Sequence, residues 1–337
     1  MKQEERINTF ADEIWSWYAR HRRSLPWRDM PIKNDTERAY RVLVSEIMLQ
    51  QTQVSRVIII FKRFLDQFPT VQDLAHSSNK DVIIAWKGMG YNSRALRLRD
   101  AARTIVDEYK GVFPKELSEL LAIKGIGPYT ASAIRNFAFN IPTPGIDTNI
   151  RRVIHRTFVG PESADGTFST SDKKLLPLCD EILDMWIEAG HPGRDFFAAL
   201  MDFGSLVQTK SSPKWDICPL TEKGIMKTTK KNFESRIMNI GKNQNGVTQN
   251  SKFNIQDSPK KEPGRMMGSR YIPNRIFRGR IVDALRENPK GLTLDSIGIE
   301  ICIDWSKDQE EWLKSLITKL VHDQIIVSQG KRFVLAE

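Results

Sequence analysis

The sequence predicts a mainly α-helical protein with a small α+β region at its C-terminal end. Apolar residues recur at helical spacing from about Ile7 to Ile225, and this stretch has no convincing strand alternation. Near the end of the chain, "IIVSQGKRFVLAE" has two short strand-like runs around "QGK". Apolar residues three or four apart indicate helices, whereas two apolar runs joined by a short Gly-containing turn indicate a hairpin.

The helical part begins with "INTFADEIWSWYARH", in which Phe10, Ile14 and Tyr18 lie on one helical stripe. The next helix carries "VLVSEIMLQQ", and Asp35 and Thr36 are candidate caps at its N-terminal end. The same spacing recurs in "RVIIIFKRFLDQF", "DVIIAWKGM", "SRALRLRDAARTIVDEY" and "KKLLPLCDEILDMWIEAG". Residues 1–225 are therefore predicted to form an all-helical domain.

Two further regions follow this domain. Residues 226–268 are rich in Asn, Gln, Ser, Lys and Gly, which predicts a basic flexible linker. Residues 269–337 regain helical periodicity in "RIFRGRIVDALREN" and "DQEEWLKSLITKLVHDQ", before the predicted hairpin. Helices followed by a hairpin are typical of a winged-helix-like domain, a module that binds either DNA or other proteins.

The composition of the chain favours some classes of partner over others. The net charge of +10 and the pI of about 9.4 fit a polyanionic partner without establishing one. The apolar run "VIIIF" is too short to cross a bilayer, and the N-terminal segment lacks a signal-peptide pattern. Three widely spaced cysteines suggest no disulfide framework. We expect a protein without a membrane partner, either cytoplasmic and nucleoid-associated or nuclear.

Glu46 is out of place in "VLVSEIMLQQTQ", since the residues around it are apolar enough to be buried. An isolated ionised carboxylate is costly in a dry core and tends to protonate instead. A buried acid that keeps its proton can serve as a general acid. The alternative is a core carboxyl group whose hydrogen bonds are satisfied within the fold.

The stretch "LLAIKGIGPYTASAI" predicts a hairpin between two helices. Gly125 and Gly127 permit a tight turn and let backbone N–H groups approach a phosphate, and Pro128 suits the first helical turn. Downstream, Asp147 in "GIDTNIRRVIHR" stands where an N-cap would stand. The residues alone favour a structural cap at this position.

Together these strings resemble the helix–hairpin–helix (HhH-GPD) DNA glycosylase superfamily, in particular its MutY-type adenine glycosylase branch. The resemblance covers roughly residues 7–223 and includes "LPWR", "SEIMLQQTQV", "FPTVQDLA", "WKGMGYNSRA", the hairpin and "IDTNIRRV". It implies a two-lobed helical domain that acts as a monomer on double-stranded DNA containing a mispair or a damaged base.

The resemblance also implies a role for individual residues. Glu46 would protonate an extruded adenine at N7, while Asp147, supported by Asn149, would stabilise the positively charged sugar. Tyr129 stands where strand-cleaving relatives carry a lysine, which implies a monofunctional glycosylase with at most weak strand cleavage. Phosphate contacts are expected at the hairpin, from Lys124, Gly125, Gly127 and Thr130.

The base pocket and the wedge are implied in the same way. Trp27 and Arg28 match the lining of the pocket, and Gln51 and Tyr91 match residues that fill the base stack after extrusion. Val54 matches the residue that adenine-directed relatives carry at this position. Ala198, in contrast, stands where adenine-directed relatives carry Gln or Glu, and the branch acting on thymine has an apolar residue there, so the target base stays open.

Two further departures concern whole sites. The relatives hold an iron–sulfur cluster with four cysteines, but here the matching positions are Gln208, Trp215, Cys218 and Gly224. We therefore expect no cluster, although a monovalent cation at the hairpin is compatible with the family, and Lys210 and Lys214 could still reach phosphate. Residues 269–337 also do not resemble the C-terminal domain with which such relatives read 8-oxoguanine.

Three functions follow from these observations. The leading one is excision of adenine opposite guanine or 8-oxoguanine in base excision repair. The second is excision of thymine, or of a modified base, from a mispair with guanine. The third is DNA binding without catalysis, against which the joint presence of Glu46, Asp147 and Tyr129 argues.

Overall fold

The structure is a computed structural model that describes residues 1–32, 34–163, 165–235 and 262–337. Chain contacts divide it into two compact units. Unit 1 comprises Met1–Val42, Lys115–Leu121 and Ile126–Lys252, and unit 2 comprises Leu43–Pro114, Ala122–Gly125 and Phe253–Glu337. Each unit thus draws on separated stretches of the sequence, and each is described by itself.

Helices dominate the chain up to residue 222. In chain order they are α1 (Gln3–His21), α2 (Asp35–Leu49), α3 (Val54–Gln67), α4 (Val71–His76), α5 (Asn79–Ala85), α6 (Ser93–Tyr109), α7 (Leu117–Ala122), α8 (Pro128–Phe139), α9 (Thr148–Ile154), α10 (Asp172–Glu188), α11 (Gly193–Leu206) and α12 (Pro219–Glu222). A π-helical turn, His155–Val159, follows α9, and a 3₁₀ turn, Trp215–Ile217, precedes α12.

The core of unit 1 forms where α1, α9, α10 and α11 pack together. Phe10 of α1, Trp186 of α10 and Phe203 of α11 are all fully buried. Aromatic rings meet edge to face there, for example Trp186 and Phe196 with centroids 5.6 Å apart. This core fixes α9 and α11. Several candidate site residues lie at the start of α9 and in the middle of α11.

Unit 2 joins helices α3 to α6 with the C-terminal α+β region. The latter contains β1 (Gly264–Met267), β2 (Arg270–Pro273), α13 (Asn274–Glu287), β3 (Leu292–Thr293), α14 (Leu294–Ile301), α15 (Glu310–His322), β4 (Ile326–Gln329) and β5 (Arg332–Leu335). Strands β1 and β2 form an antiparallel pair, and β3, β5 and β4 form an antiparallel sheet in that order. Helices with a short strand between them and a terminal hairpin are the elements of the predicted winged-helix-like domain, and that assignment stays a prediction.

The C-terminal region shares its core with the helical part of unit 2. Phe277 and Ile281 of α13 are fully buried and belong to the same apolar cluster as Ile83 of α5 and Leu96 of α6. Arg286 adds polar contacts, since its guanidinium donates to the carbonyl oxygen of Ile83 at 2.7 Å. The region is therefore anchored on the helical part by apolar and polar contacts together.

The predicted fold class, mainly helical with a small C-terminal α+β region, is confirmed. Residues 230–235 are helical and strand β1 spans Gly264–Met267, so both fall within the stretch predicted as a flexible linker, residues 226–268. Residues 236–261 lie outside the described part of the chain. The cap of α2 is Asn34, because its side chain accepts from the N–H of Glu37 at 3.0 Å; Asp35 and Thr36 belong to the first turn instead. Among the described helices, none combines the length and apolar character that a membrane span requires.

Phe277→Ala should destabilise unit 2 by about 3–5 kcal/mol, because the substitution leaves a cavity in a fully buried core. Phe277 also packs edge to face on Trp312, with ring centroids 4.8 Å apart. Urea unfolding followed by circular dichroism measures the change. Ile303→Ala is the matched control, since Ile303 is 87% exposed, and equal losses for the two variants would contradict the assigned core.

Candidate active site

Glu46 lies in the third turn of α2 and belongs to unit 2. Its neighbours Val44, Ile47 and Met48 are buried, and Glu46 itself is only 8% exposed. The predicted burial of this carboxyl group is therefore confirmed. Its role as a proton donor stays a prediction.

Asp147 is the N-cap of α9 in unit 1, as its position in the sequence predicted. One carboxylate oxygen accepts from the backbone N–H groups of Asn149 at 2.9 Å and Ile150 at 2.6 Å. The other accepts from the Asn149 side-chain amide at 3.0 Å. Burial raises the pKa of Asp147 above its ordinary value, while these three hydrogen bonds act in the opposite direction.

Arg152 continues this network, although the sequence argument did not identify it. Its guanidinium donates to the Asn149 side-chain oxygen at 2.6 Å, so that Asn149 links the guanidinium to the Asp147 carboxylate. It also donates to the carbonyl oxygens of Gly204 and Gln208, at 2.7 and 2.5 Å. Burial lowers the pKa of Arg152 to about 10, which leaves the group charged at neutral pH. The only signal in the sequence was the spacing of three residues from Asn149, which places both side chains on one helical face.

Tyr129 lies in the first turn of α8, half-buried against α11. Its hydroxyl group is 3.0 Å from the sulfur of Met201, and its ring lies 6.1 Å from that of Phe197. In the same turn, Gly127 is the N-cap, Pro128 is the first helical residue as predicted, and Thr130 is 6% exposed. A contact between Thr130 and phosphate would therefore run through its backbone N–H.

A cavity of about 290 Å³ in unit 1 brings together three of the predicted pocket residues, Trp27, Arg28 and Ala198. Trp27 is 6% exposed, and Ala198 of α11 offers only a methyl group. Asp195, one turn earlier on α11, also lines the cavity, and burial raises the pKa of its carboxyl group. This cavity is the candidate base pocket.

Asp202, which was not predicted from the sequence, binds Arg28 on the wall of that cavity. The residue is fully buried, and its carboxylate accepts from Arg28 at 3.0 Å and from Arg23 at 2.7 Å. A buried carboxylate is tolerable here because two guanidinium groups compensate its charge. Arg28 is therefore fixed by α11 at the edge of the pocket.

The predicted wedge residues lie on two neighbouring turns of unit 2. Gln51 and Tyr91 both have left-handed backbones, with φ of 55° and 46°, and both side chains are exposed. Arg94 joins the turns, because it donates to the carbonyl oxygens of Met48 at 3.2 Å and Met89 at 3.1 Å. Val54 begins α3 and is half-buried. The role of Arg94 was not predicted from the sequence, and its partners lie 46 and 5 residues away.

The hairpin between α7 and α8 presents an exposed lysine, Lys124, next to a glycine. Gly125 has φ of +103°, and a Cβ there would lie 3.4 Å from the carbonyl oxygen of Arg97. The turn therefore needs a glycine for its backbone conformation.

The four positions that match cluster cysteines do not fit an iron–sulfur cluster. Gln208 is fully buried, and its amide donates to the single thiol, Cys218 Sγ, at 3.4 Å. Trp215 is also buried, and Gly224 carries no side chain. Within the described ranges, no three His, Cys, Asp or Glu side chains are placed to hold a metal ion together. Lys210 and Lys214 are exposed on the loop between these positions.

Comparison with known proteins identifies the family. The model of the HhH-GPD superfamily of base excision DNA repair proteins matches residues 44–176. The adenine DNA glycosylase of Mycolicibacterium smegmatis is 32% identical over 324 residues, which cover 96% of this chain and 95% of that protein. The rat adenine DNA glycosylase is 39% identical over 218 residues, but the match covers 64% of this chain and 41% of the rat protein.

Comparison with solved structures supports the same fold. A thermostable thymine-DNA glycosylase aligns with a TM-score of 0.58 and 25% identity, and the alignment covers 68% of this chain and 98% of that protein. An endonuclease III–DNA covalent intermediate aligns with a TM-score of 0.54 at 18% identity and supports the fold alone. The chain belongs to the HhH-GPD superfamily of base excision DNA repair proteins, in the branch of the MutY-type adenine DNA glycosylases.

Proposed function

We propose that the protein is a monofunctional DNA glycosylase that removes adenine paired with guanine or 8-oxoguanine. The observation that carries the proposal is the Asp147 carboxylate, which is fixed by three hydrogen bonds at the start of α9 and backed by Arg152 through Asn149. A fixed, desolvated carboxylate is the group that a developing positive charge on a sugar requires. The adenine DNA glycosylase of M. smegmatis, which matches nearly the whole chain, supports the choice of base.

The proposed reaction divides the chemistry between two carboxyl groups. Glu46 donates its proton to N7 of the extruded adenine, so that the base leaves as a neutral purine when the bond from N9 to C1′ breaks. Asp147 stabilises the cationic sugar until water adds to C1′ and gives a proton back to the Glu46 carboxylate, which restores the acid. The products are free adenine and an abasic site, with all atoms accounted for.

Tyr129 supports the monofunctional assignment. A strand-cleaving glycosylase attacks C1′ with an amine and forms a Schiff base, which a phenol cannot do. The Tyr129 hydroxyl instead lies against the sulfur of Met201. We therefore propose that the abasic product persists until alkali or another enzyme cleaves it.

Base extrusion is assigned to the wedge turns and to the candidate base pocket. Unpairing and unstacking a base costs a few kcal/mol, which side chains that fill the gap can offset. Gln51 and Tyr91 are exposed on turns that Arg94 fixes, and they suit this role. Trp27, Arg28 and Ala198 would receive the extruded base in the cavity of unit 1. Val54, at the start of α3, would lie beside the base.

Ala198 also favours a second candidate, excision of thymine from a mispair with guanine. A methyl group gives no hydrogen bond with which to select the edge of a purine, and a polar edge left unpaired is costly. The similarity to a thermostable thymine-DNA glycosylase points the same way. Asp195, in the same cavity, is the side chain that could instead recognise the adenine amino group.

Double-stranded DNA is the proposed partner, and the protein is proposed to bind it as a monomer. The backbone amides near Gly125, Gly127 and Thr130 would contact phosphate together with the Lys124 side chain, and Lys210 and Lys214 would add charge from unit 1. Contacts of this kind position an enzyme on DNA without reading its sequence.

A panel of duplexes tests the target base. Purified protein is incubated with A·8-oxoG, A·G, T·G and U·G duplexes and then treated with alkali, which cleaves abasic sites. We expect cleavage at adenine, and strand breaks should require the alkali. Cleavage at thymine alone would establish the second candidate.

Glu46→Gln should abolish adenine release yet keep DNA binding, whereas Glu108→Gln, at an exposed position of α6, should change neither.

Asn149→Ala should move the acid limb of the pH–rate profile to higher pH. Burial raises the pKa of Asp147, and the Asn149 side-chain amide lowers it, so removing the amide raises that pKa further. Activity that needs the ionised carboxylate is lost as pH falls through this pKa, so in the variant the loss begins at a higher pH. Single-turnover rates across pH measure the shift. Thr148→Ala, which keeps the amide, should leave the limb in place, and a limb that does not move in Asn149→Ala would refute the linkage.

We also propose that the protein works without an iron–sulfur cluster. One thiol cannot replace four, and Gln208 and Trp215 are buried at two of the ligand positions. Protein produced with an adequate supply of iron and sulfide should show no visible absorbance band and iron far below one atom per chain. A chelator should leave its melting temperature unchanged. Stoichiometric iron with visible absorbance would overturn the proposal.

A further inference from the structure

A groove of about 580 Å³ in unit 2 lies between the two wedge turns and α13, the first helix of the C-terminal region (Asn274–Glu287). One side is formed by Gln51 and Arg56 and by the turn Gly88–Ser93, and the other by residues 275–286 of α13. Arginine is its most prominent residue type, since Arg56, Arg275, Arg278, Arg280 and Arg286 all line it. The groove thus combines the wedge with a cluster of positive charge.

The arginines of the groove differ in what they already bind. Arg286 is held by Asp283 and by the side-chain oxygen of Asn92 at 2.9 Å, and Arg280 donates to the carbonyl oxygen of Ile301 at 2.9 Å. These two are occupied within the protein. Arg278, in contrast, has no acidic partner among residues 1–32, 34–163, 165–235 and 262–337, and is half-buried, so that part of the residue stays accessible.

Arg275 is the second accessible cation. Its ion pair with Glu262, at 2.7 Å, is exposed on both sides and therefore contributes little. Tyr91, the exposed wedge residue, lines the same groove on its opposite side. An aromatic ring for stacking thus stands beside a cation that can bind a phosphate, a combination typical of nucleotide sites.

The lysines of α15 (Glu310–His322), the third helix of the winged-helix arrangement, are less suited to bind DNA. Lys314 pairs with Glu310 and Glu311 at 2.8 and 2.9 Å, and Lys319 pairs with Asp323 at 2.8 Å. Neighbouring acids neutralise their charge and would repel phosphate. Arg278 of α13 has no such acidic partner in the described part of the chain, while Asp283 and Asp323 are the acids that line the groove.

We propose that α13 and the wedge turns together bind the DNA strand opposite the target base. Tyr91 and Gln51 would contact the nucleotide left without a partner, while Arg275 and Arg278 would bind phosphates of that strand. In this arrangement the C-terminal region acts through its first helix and not through α15 or the β4–β5 hairpin. The inference builds on the proposed function, but it concerns binding and is tested without excision.

The test measures affinity for a duplex that carries a stable tetrahydrofuran abasic analogue opposite guanine. Full-length Arg275→Ala/Arg278→Ala should bind this duplex at least about tenfold more weakly, and the slope of log K against log salt should fall by about 2. Binding to the single strand that carries the analogue should change much less, because the opposing strand is absent. The effect on the duplex should be the same whether or not the protein excises adenine.

Lys307→Ala/Lys331→Ala is the matched control, since it removes two exposed positive charges from the same C-terminal region outside the groove. We expect its duplex affinity and salt slope to stay close to wild type, and melting curves confirm that both variants fold. An equal loss in the two variants, an unchanged slope in the arginine variant, or an equal loss on the single strand would overturn the proposal. In the second case a protein partner would be the better occupant of the groove.

Discussion

Hydrogen bonds from buried arginines to backbone carbonyl oxygens hold the candidate functional loops of this protein in place. Arg94 fixes the two wedge turns, and Arg152 fixes the end of α11 and supports Asn149. A guanidinium group carries five donors in a planar fork, so one side chain can satisfy several orphan carbonyls at once. Burial lowers the pKa of Arg94 and of Arg152 to about 10, yet both stay charged at neutral pH.

The same device holds the loop around Gln208, where the resemblance to MutY-type enzymes implied a cluster ligand. Arg156 is fully buried, pairs with Glu162 at 2.7 Å and donates to the Gln208 side chain at 3.1 Å. It also donates to the carbonyl oxygen of Thr209 at 3.0 Å, beside the exposed Lys210. Burying these charged and polar groups costs desolvation free energy. Their hydrogen bonds and ion pairs offset that cost only while every group of the network keeps its partner. These side-chain contacts give the loop a fixed position.

Local patterns predicted the features that depend on neighbouring residues. The helices follow from apolar periodicity, the cap at Asp147 from the residues that come after it, and the burial of Glu46 from the apolar run around it. The predicted cap of α2 was wrong by one residue, because Asn34, Asp35 and Thr36 are all residue types that can cap a helix. Only the geometry of the turn decides among them.

Features that depend on distant partners could not be predicted in this way. Asp202 lies 174 residues from Arg28, and Arg286 lies 203 residues from the carbonyl group that it binds in α5. In the sequence each looks like an ordinary surface charge on a helix, although Asp202 is fully buried and the side chain of Arg286 is only 6% exposed. Such groups must be paired once they are buried, so they fix the elements that meet there in one arrangement. The anchoring of α13 beside the wedge turns, on which its access to the opposing strand depends, rests on a contact of this type.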